Sequence, residues 1–374
     1  MKVIIAGDFL PFGRISDKLQ EKESFTIVDD EIKAIICDAD YSIVNLESPV
    51  ANENCKPIEK TGPCLKTNSL AIELLKNTGF KAVTLANNHF LDYGEEGAKQ
   101  TLCCLKEKQI DYVGGGETLD EAQKPLLKTI NGVTIAFINC CEKEFSIATK
   151  KQAGSNPLDD IKIYYSVQQA KKKADKVIVI VHGGIERYSY PTPRMVDTYR
   201  FFIDCGADVV LNHHQHWFSG FEDYKGKPIF YGLGNFCYDC QDEKSVNWNI
   251  GYMVMLNFNN EKDTYEVLPY IQCDKQPIVR KMSHEEVLRF QDGVNAINAI
   301  IQNRDLLNKQ LQRFVKETSE GYKLALEPYT GRISRKLYSL GLLPSFCKGK
   351  KKVLLKNLLR CESHYERLLA SLEE

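Results

Sequence analysis

The run Asn212-His213-His214-Gln215-His216 places three imidazoles within four residues, directly behind the apolar run Asp208–Leu211. Histidines so crowded at the end of a β-type run are ligands more often than core residues. Two more histidines follow apolar runs in the same way, His89 in Asn87-Asn88-His89 and His182 in His182-Gly183-Gly184. Acidic groups repeat the placement, with Asp8 behind Val3–Ala6 and Glu47 in Asn45-Leu46-Glu47. Carboxylate, carboxamide and imidazole are the donors that hard-to-borderline divalent metals accept. Asp8, Glu47, Asn88, His182, His214 and His216 therefore read as ligands for divalent ions, with two (Mn, Fe or Zn) expected. Such a pair clamps an in-line displacement and supplies hydroxide near neutral pH. Each piece has a plainer reading alone: Gly7-Asp8 is a common turn, and Asn87-Asn88-His89 is turn chemistry with a satisfied histidine. Their joint occurrence at successive strand ends argues for a site.

Positioning such groups needs strands whose carboxyl ends converge, the arrangement in which α/β sheets form binding crevices. Strands are predicted at Val3–Ala6, Tyr41–Asn45, Ala82–Leu85, Asp111–Val113, Thr134–Asn139, Val177–Val181, Asp208–Leu211 and Ile229–Tyr231. Helical patterns lie between them, around Asn68–Asn77, Glu95–Lys108, Leu158–Ala174 and Pro193–Cys205. This alternation predicts an α/β layered domain. Asn131-Gly132 signals a tight hairpin. Tyr252–Phe258 and Tyr265–Ile271 follow one another without a helix, so part of the sheet is expected to be antiparallel. From Ser283-His-Glu-Glu286, a capping-box pattern, the chain reads as helical. The expected division is an α/β domain at 1–275 and a helical C-terminal appendage at 276–374.

The 374 residues are 43% hydrophobic and 26% charged, enough to bury a full core. A net charge of -1 excludes a globally basic nucleic-acid binder, and no nucleic acid is expected as a partner. The opening MKVIIAGDF has an apolar run too short for a secretory segment, and no later run reaches the roughly 18 residues of a membrane span. Thirteen cysteines, an odd number, read as reduced and mostly buried thiols, Cys237 and Cys240 included. The expected compartment is the cytoplasm.

The series GDFLPFGR, NLES, LANNHFLDYG, VHGGIERY and GADVVLNHHQHWFSGFEDYKGKPIFYGLGNF resembles the CapA-type (poly-γ-glutamate capsule biosynthesis) family. That family is similar to a branch of the calcineurin-like metallophosphoesterases. The resemblance covers residues 1–240 and implies a layered metallophosphoesterase-like mixed β-sheet domain flanked by helices. By resemblance, Asp8 is the first metal-ligand aspartate, Glu47 the carboxylate bridging two metals, and Asn88 the asparagine ligand of the second. His182 matches the single histidine ligand, and His214 and His216 the pair that closes the site. His89 matches the catalytic histidine, which would protonate the leaving oxygen or stabilise transition-state charge. Asp92 would orient His89, or merely cap the turn before Tyr93-Gly94. Glu186 occupies the family's following acidic position and, with His213, is assigned to substrate binding. Arg14 would contact an anionic substrate or serve as a surface ion-pair partner. Departures are Leu10 where the superfamily's Asp-x-His opening has its histidine, Asn212 for glycine, Gln215 for proline and Gly183 for tryptophan.

The function expected is metal-dependent hydrolysis, of phosphoesters first and amides second, on an anionic small molecule or polymer. The alternative is a non-catalytic metal-binding partner in a polymer-synthesis or envelope complex. Residues 328–361 contain no Asp or Glu and nine Lys and Arg, interleaved with Tyr and Leu. Such a segment could dock peripherally on a membrane (here the inner face), a polyanion or an acidic partner, or be a solvated helical face.

Overall fold

The computed structural model describes residues 1–21, 27–243, 245–259 and 262–372. Its chain forms two compact units, Met1–Leu307 and Asn308–Glu374.

In the first unit one sheet runs β16-β15-β14-β1-β2-β3-β4, with β13 also paired to β1. These are β1 (Lys2–Leu10), β2 (Tyr41–Leu46), β3 (Ala82–Thr84), β4 (Asp111–Val113), β13 (Asn235–Tyr238), β14 (Ile250–Asn257), β15 (Thr264–Gln272) and β16 (Val279–Lys281). A second sheet runs β11-β12-β10-β9-β7-β6. Its strands are β6 (Leu126–Ile130), β7 (Val133–Cys141), β9 (Lys176–His182), β10 (Val209–His213), β11 (Phe221–Tyr224) and β12 (Lys227–Phe230). The short pair β5 (Gly115–Gly116) and β8 (Gly154–Ser155) stands apart. β1 to β4 are parallel, as are β7, β9 and β10, whereas β14 to β16 are antiparallel. The hairpin β6–β7 turns at Asn131 and Gly132, both at positive φ (52° and 81°), as that dipeptide predicts.

Strand alternation assembles the layers. Val3, Ile5, Tyr41 and Ile43 face a core shared with Ile135, Phe137, Ile178 and Val210 of the second sheet. Their alternate neighbours Ile4, Ala6, Val44 and Leu46 face the opposite way. There they meet α2 (Asp30–Asp38), α3 (Ser69–Thr78) and α4 (Gly94–Lys108), which follow α1 (Arg14–Gln20). The second sheet carries α6 (Asp160–Ala170) and α7 (Pro193–Asp204) on its far side, while α5 (Leu119–Ala122) is one short turn. The order is helix, sheet, sheet, helix, so the ends of parallel strands from both sheets open on one loop cluster.

α8 (His284–Ile301) begins at the expected Ser283–Glu286 capping box. The sequence assigned this helix to the appendage, but it belongs to the first unit, whose boundary falls beyond 275/276. Phe290, Val294, Ile297 and Ile301 form its buried stripe, and Phe290 packs 5.2 Å from Phe218 and 5.7 Å from Tyr252. α9 (Arg304–Ala325) leads into the second unit, which holds α10 (Arg332–Ser339), α11 (Gly349–Arg360) and α12 (Glu362–Leu372). Among the described residues no helix is long and apolar enough to cross a membrane. The thirteen cysteines are free thiols.

Candidate metal centre

Three strand ends of one sheet and two of the other deliver the donors. β1 ends its apolar run at Asp8 and β2 runs into Glu47, while the loop after β3 carries Asn88 and His89. β9 ends on His182, and β10 leads into His214 and His216. Asp8, Glu47, Asn88, His182, His214 and His216 are all buried. Their potential ligand atoms form two groups, Glu47 with His182 and His214, and Asp8 with Glu47 and His216. Within each group the atoms lie within 4.8 Å of one another, and Glu47 belongs to both. His182 Nε2 is 3.3 Å from Glu47 Oε1, 3.0 Å from Asn88 Oδ1 and 3.1 Å from His214 Nδ1. His216 Nδ1 is 3.5 Å from Asp8 Oδ2 and 3.8 Å from Glu47 Oε2.

Neither carboxylate oxygen of Glu47 accepts a hydrogen bond among the described residues, although the side chain is buried. Buried carboxylates are ordinarily paired or metal-coordinating, because leaving them bare costs several kcal/mol. The donor set of carboxylate, carboxamide and imidazole around this bare group fits divalent ions. Burial, then the charge of Asp8, pushes the Glu47 carboxyl well above the usual glutamate range. Burial acts upward on Asp8 too, but the hydrogen bond to His216 and the imidazoles of His213 and His182 hold it below the ordinary aspartate range. Burial and His214 hold His182 well below the usual imidazole value. Burial likewise disfavours a proton on His216, but Glu47 and Asp8 outweigh it and raise His216 to about 9.

Backbone strain is spent here as well. His214 and His216 adopt φ of 90° and 59°, in the left-handed region that side chains other than glycine seldom enter. Such conformations cost on the order of 1–3 kcal/mol each and gather at functional sites. Gly7 is required next to Asp8, since a Cβ there would stand 1.9 Å from the carbonyl oxygen of Gly234. That approach lets the Asp8 amide donate to Gly234 O at 3.1 Å and brings Asn235 into register with Asp8.

The remaining assigned residues divide. His89 Nδ1 pairs with Asp92 Oδ2 at 2.6 Å, and both are buried. Glu186 is exposed but near enough for its charge to act on Glu47, His214 and His216. Arg14 is placed otherwise than as a substrate contact: its Nε and a terminal nitrogen bind both oxygens of buried Asp239, at 2.9 and 2.8 Å, and the carbonyls of Cys273 to Lys275 take its other donors. His213 is 1% exposed, and its Nε2 donates to the Ala6 carbonyl at 2.9 Å, tying β10 to β1 rather than facing a substrate.

Several supporting groups went unnoticed in the sequence. Asn45 donates to Asp8 Oδ1 at 2.8 Å, and the Asn235 carboxamide oxygen lies 2.9 Å from His216 Nδ1. Both stand in the quoted motifs, Asn45 at the end of a predicted strand, but the sequence reading assigns neither a role. Lys60, whose side chain is 3% exposed, pairs with Asp92 and lies 3.3 Å from His89 Nδ1. It comes from a loop without periodicity, so no local signal marks it. Asn212 bonds the carbonyls of Gly183 and Tyr231, and Gln215 those of Tyr188 and Tyr190. These two departures from the family pattern are loop ties. Leu10 is fully buried against Leu65, Tyr238 and Trp248, so that position offers no donor.

Comparison with known proteins bears on the same region. The chain is 36% identical over 238 residues to the PGA biosynthesis protein CapA of Bacillus subtilis, covering 62% of this chain and 62% of that protein. It is 32% identical over 247 residues to the capsule biosynthesis protein CapA of Bacillus anthracis, covering 64% and 60%. The chain thus spans about three fifths of the length of these relatives. Among solved structures, 5'-nucleotidase from Candida albicans matches at 12% identity with a TM-score of 0.42, over 84% of this chain and 57% of that one. The family model described as bacterial capsule synthesis protein PGA_cap matches residues 2–240, a stretch that holds every donor described above. The chain belongs to this capsule synthesis family, of the calcineurin-like phosphoesterase type of fold.

Proposed function

We propose that the chain is a metal-dependent hydrolase, of phosphoesters in the first place, serving the synthesis of a capsule or poly-γ-glutamate polymer. The observation that carries this reading is Glu47, buried, bare at both oxygens and shared by two donor groups. Asp8, Glu47 and His216 would hold one divalent ion, and Glu47, Asn88, His182 and His214 a second. Bound ions supply Lewis acidity and hydroxide near neutral pH. Asn45 and Asn235 aim Asp8 and His216. His89 gives its Nδ1–H to Asp92, which leaves Nε2 to protonate the departing oxygen. Glu186 at the rim favours a substrate that brings its own positive charge or counter-ion past it. The polymer pathway enters from the relatives' names, and the reaction class from the site.

Purified protein supplied with manganese, then screened against phosphomonoesters, phosphodiesters and γ-glutamyl amides, is expected to hydrolyse a phosphoester in a chelator-sensitive way. Failure to bind manganese, iron or zinc, together with no turnover, would refute the proposal.

Leu10 supports a second reading, in which the protein is a non-catalytic metal-binding partner in polymer synthesis, because one ligand position of the superfamily is apolar here. One ion per chain and no turnover with any ester or amide would favour it.

A further inference from the structure

The second unit carries a surface that the proposed hydrolase does not use. Between Pro328 and Cys361 stand nine Lys and Arg and no Asp or Glu. Glu327, just before this segment, is buried and committed, accepting from Tyr338, Ser345 and the amides of Phe346 and Cys347. The positive charge of the segment is therefore not neutralised from within it.

Its apolar side chains lie open. On α10 and at its C-cap, Ile333, Leu337 and Leu340 recur at i, i+4 and i+7, beside a stripe of Arg332, Arg335 and Lys336. Ile333 is 78% exposed and Leu340 59%. On α11, Leu354, Leu355, Leu358 and Leu359 form one stripe, with Lys352, Lys356 and Arg360 at i, i+4 and i+8 beside it. Neither helix has a buried residue. An open cavity of about 1060 Å³ lies among α9, α10 and α11, lined by Leu342, Leu343 and Leu359 together with Lys348, Lys352 and Lys356, Glu320 of α9 also lining it. Helices of 8 and 12 residues are too short to span a bilayer, which takes about 20. Exposed apolar stripes bordered by lysine and arginine suit the interface, where the leucines reach the acyl boundary and the cations meet lipid phosphates.

We propose that residues 328–361 dock the protein on an anionic phospholipid surface, with α10 and α11 lying in its plane. Each lysine close to an anionic bilayer contributes about 1 kcal/mol, roughly fivefold in partitioning, and less at high salt.

The test is co-sedimentation of the full chain with vesicles of equimolar phosphatidylcholine and phosphatidylglycerol, against vesicles of phosphatidylcholine alone. Wild type should bind only the anionic vesicles and come off as salt is raised. Replacing Lys350, Lys351, Lys352 and Lys356 by Gln, all exposed, should weaken partitioning about 600-fold at low salt and less as salt is raised. Replacing exposed Ile333, Leu354 and Leu359 by Ser should weaken it at every salt concentration. Equal binding by wild type and the lysine variant, equal binding to neutral vesicles, or no vesicle-bound protein would overturn the proposal. So would self-association in place of vesicle binding, which would assign the surface to a second copy.

Discussion

His89 Nδ1 stands 2.6 Å from Asp92 Oδ2, and the same Asp92 oxygen accepts the Leu65 amide at 2.6 Å. One carboxylate therefore aims the imidazole and anchors a loop. His89→Asn should lower turnover by roughly 10²–10⁴-fold while bound metal stays at the wild-type level. Asp92→Ala should lose turnover and also about 3–5 kcal/mol of stability, because the buried Lys60 loses its partner. Kinetics of the two variants beside their metal content and melting temperatures check both outcomes; His89→Asn kinetics within a few-fold of wild type would remove His89 from the mechanism.

Glu47→Gln should move stability in opposite directions with and without metal. Under chelation at neutral pH the variant is expected to be more stable than wild type by about 1–3 kcal/mol, since burial makes the Glu47 carboxyl take up a proton on folding and glutamine need not. With manganese the order should reverse, because only wild type gains binding energy. His214→Ala should also lose metal but show no such gain under chelation.

Metal binding should strengthen with pH. His216, raised to about 9 without metal, must give up its proton to serve as a ligand. Apparent affinity should rise about tenfold per pH unit toward about pH 9 from His216 alone, and more steeply where the raised Glu47 carboxyl also gives up a proton, with proton release measurable by titration calorimetry in buffers of different ionisation enthalpy. The stability of the chelated protein runs the other way. A folded pKa above the unfolded value of about 6.5 gives stability that is full below pH 6.5 and lost as pH rises through about 9.

Arg14→Gln is expected to act on folding rather than on substrate. It removes the charge partner of Asp239, whose side chain is 2% exposed and keeps only the residue-14 amide as a donor from this position, and should cost about 2–4 kcal/mol, reduced from a fully buried pair because Arg14 is 30% exposed. A KM changed more than a few-fold in well-folded protein would contradict this assignment.

Gly7→Ala should disable the centre without touching a donor. Its Cβ would meet backbone, the Gly234 carbonyl, which cannot swing aside as a side chain can. The expected result is displacement of β13, with His216 losing the aim that Asn235 provides, seen as weaker metal binding and a lower melting temperature.

The donors were legible because each follows a β-branched run, and a run of that kind announces both the strand and where it stops. Their convergence was not legible from spacing: that β1 and β10 open on one cluster depends on how two sheets stack. The helix α8 shows the same gap, since its capping box marked where it starts while its partner Phe218 lies far away in sequence. Arg14 stays open between substrate contact and ion-pair partner in the sequence, and Lys60 is missed, for the converse reason. A single charged residue carries no periodicity, whether it opens a helix as Arg14 does or sits in a loop as Lys60 does, and its role is fixed by Asp239 or Asp92, supplied from elsewhere in the chain.

Among the described residues no strand ladder joins the two sheets. Asp8, Glu47 and Asn88 come from one and its loops, His182, His214 and His216 from the other. Ions held between these donors would act as rivets through both layers, so that loosening either sheet at its loop-bearing edge would strain the other. Amides at the tips of β1, β2, β9 and β10 would then exchange with solvent as one cooperative unit when loaded, and as two separate units under chelation.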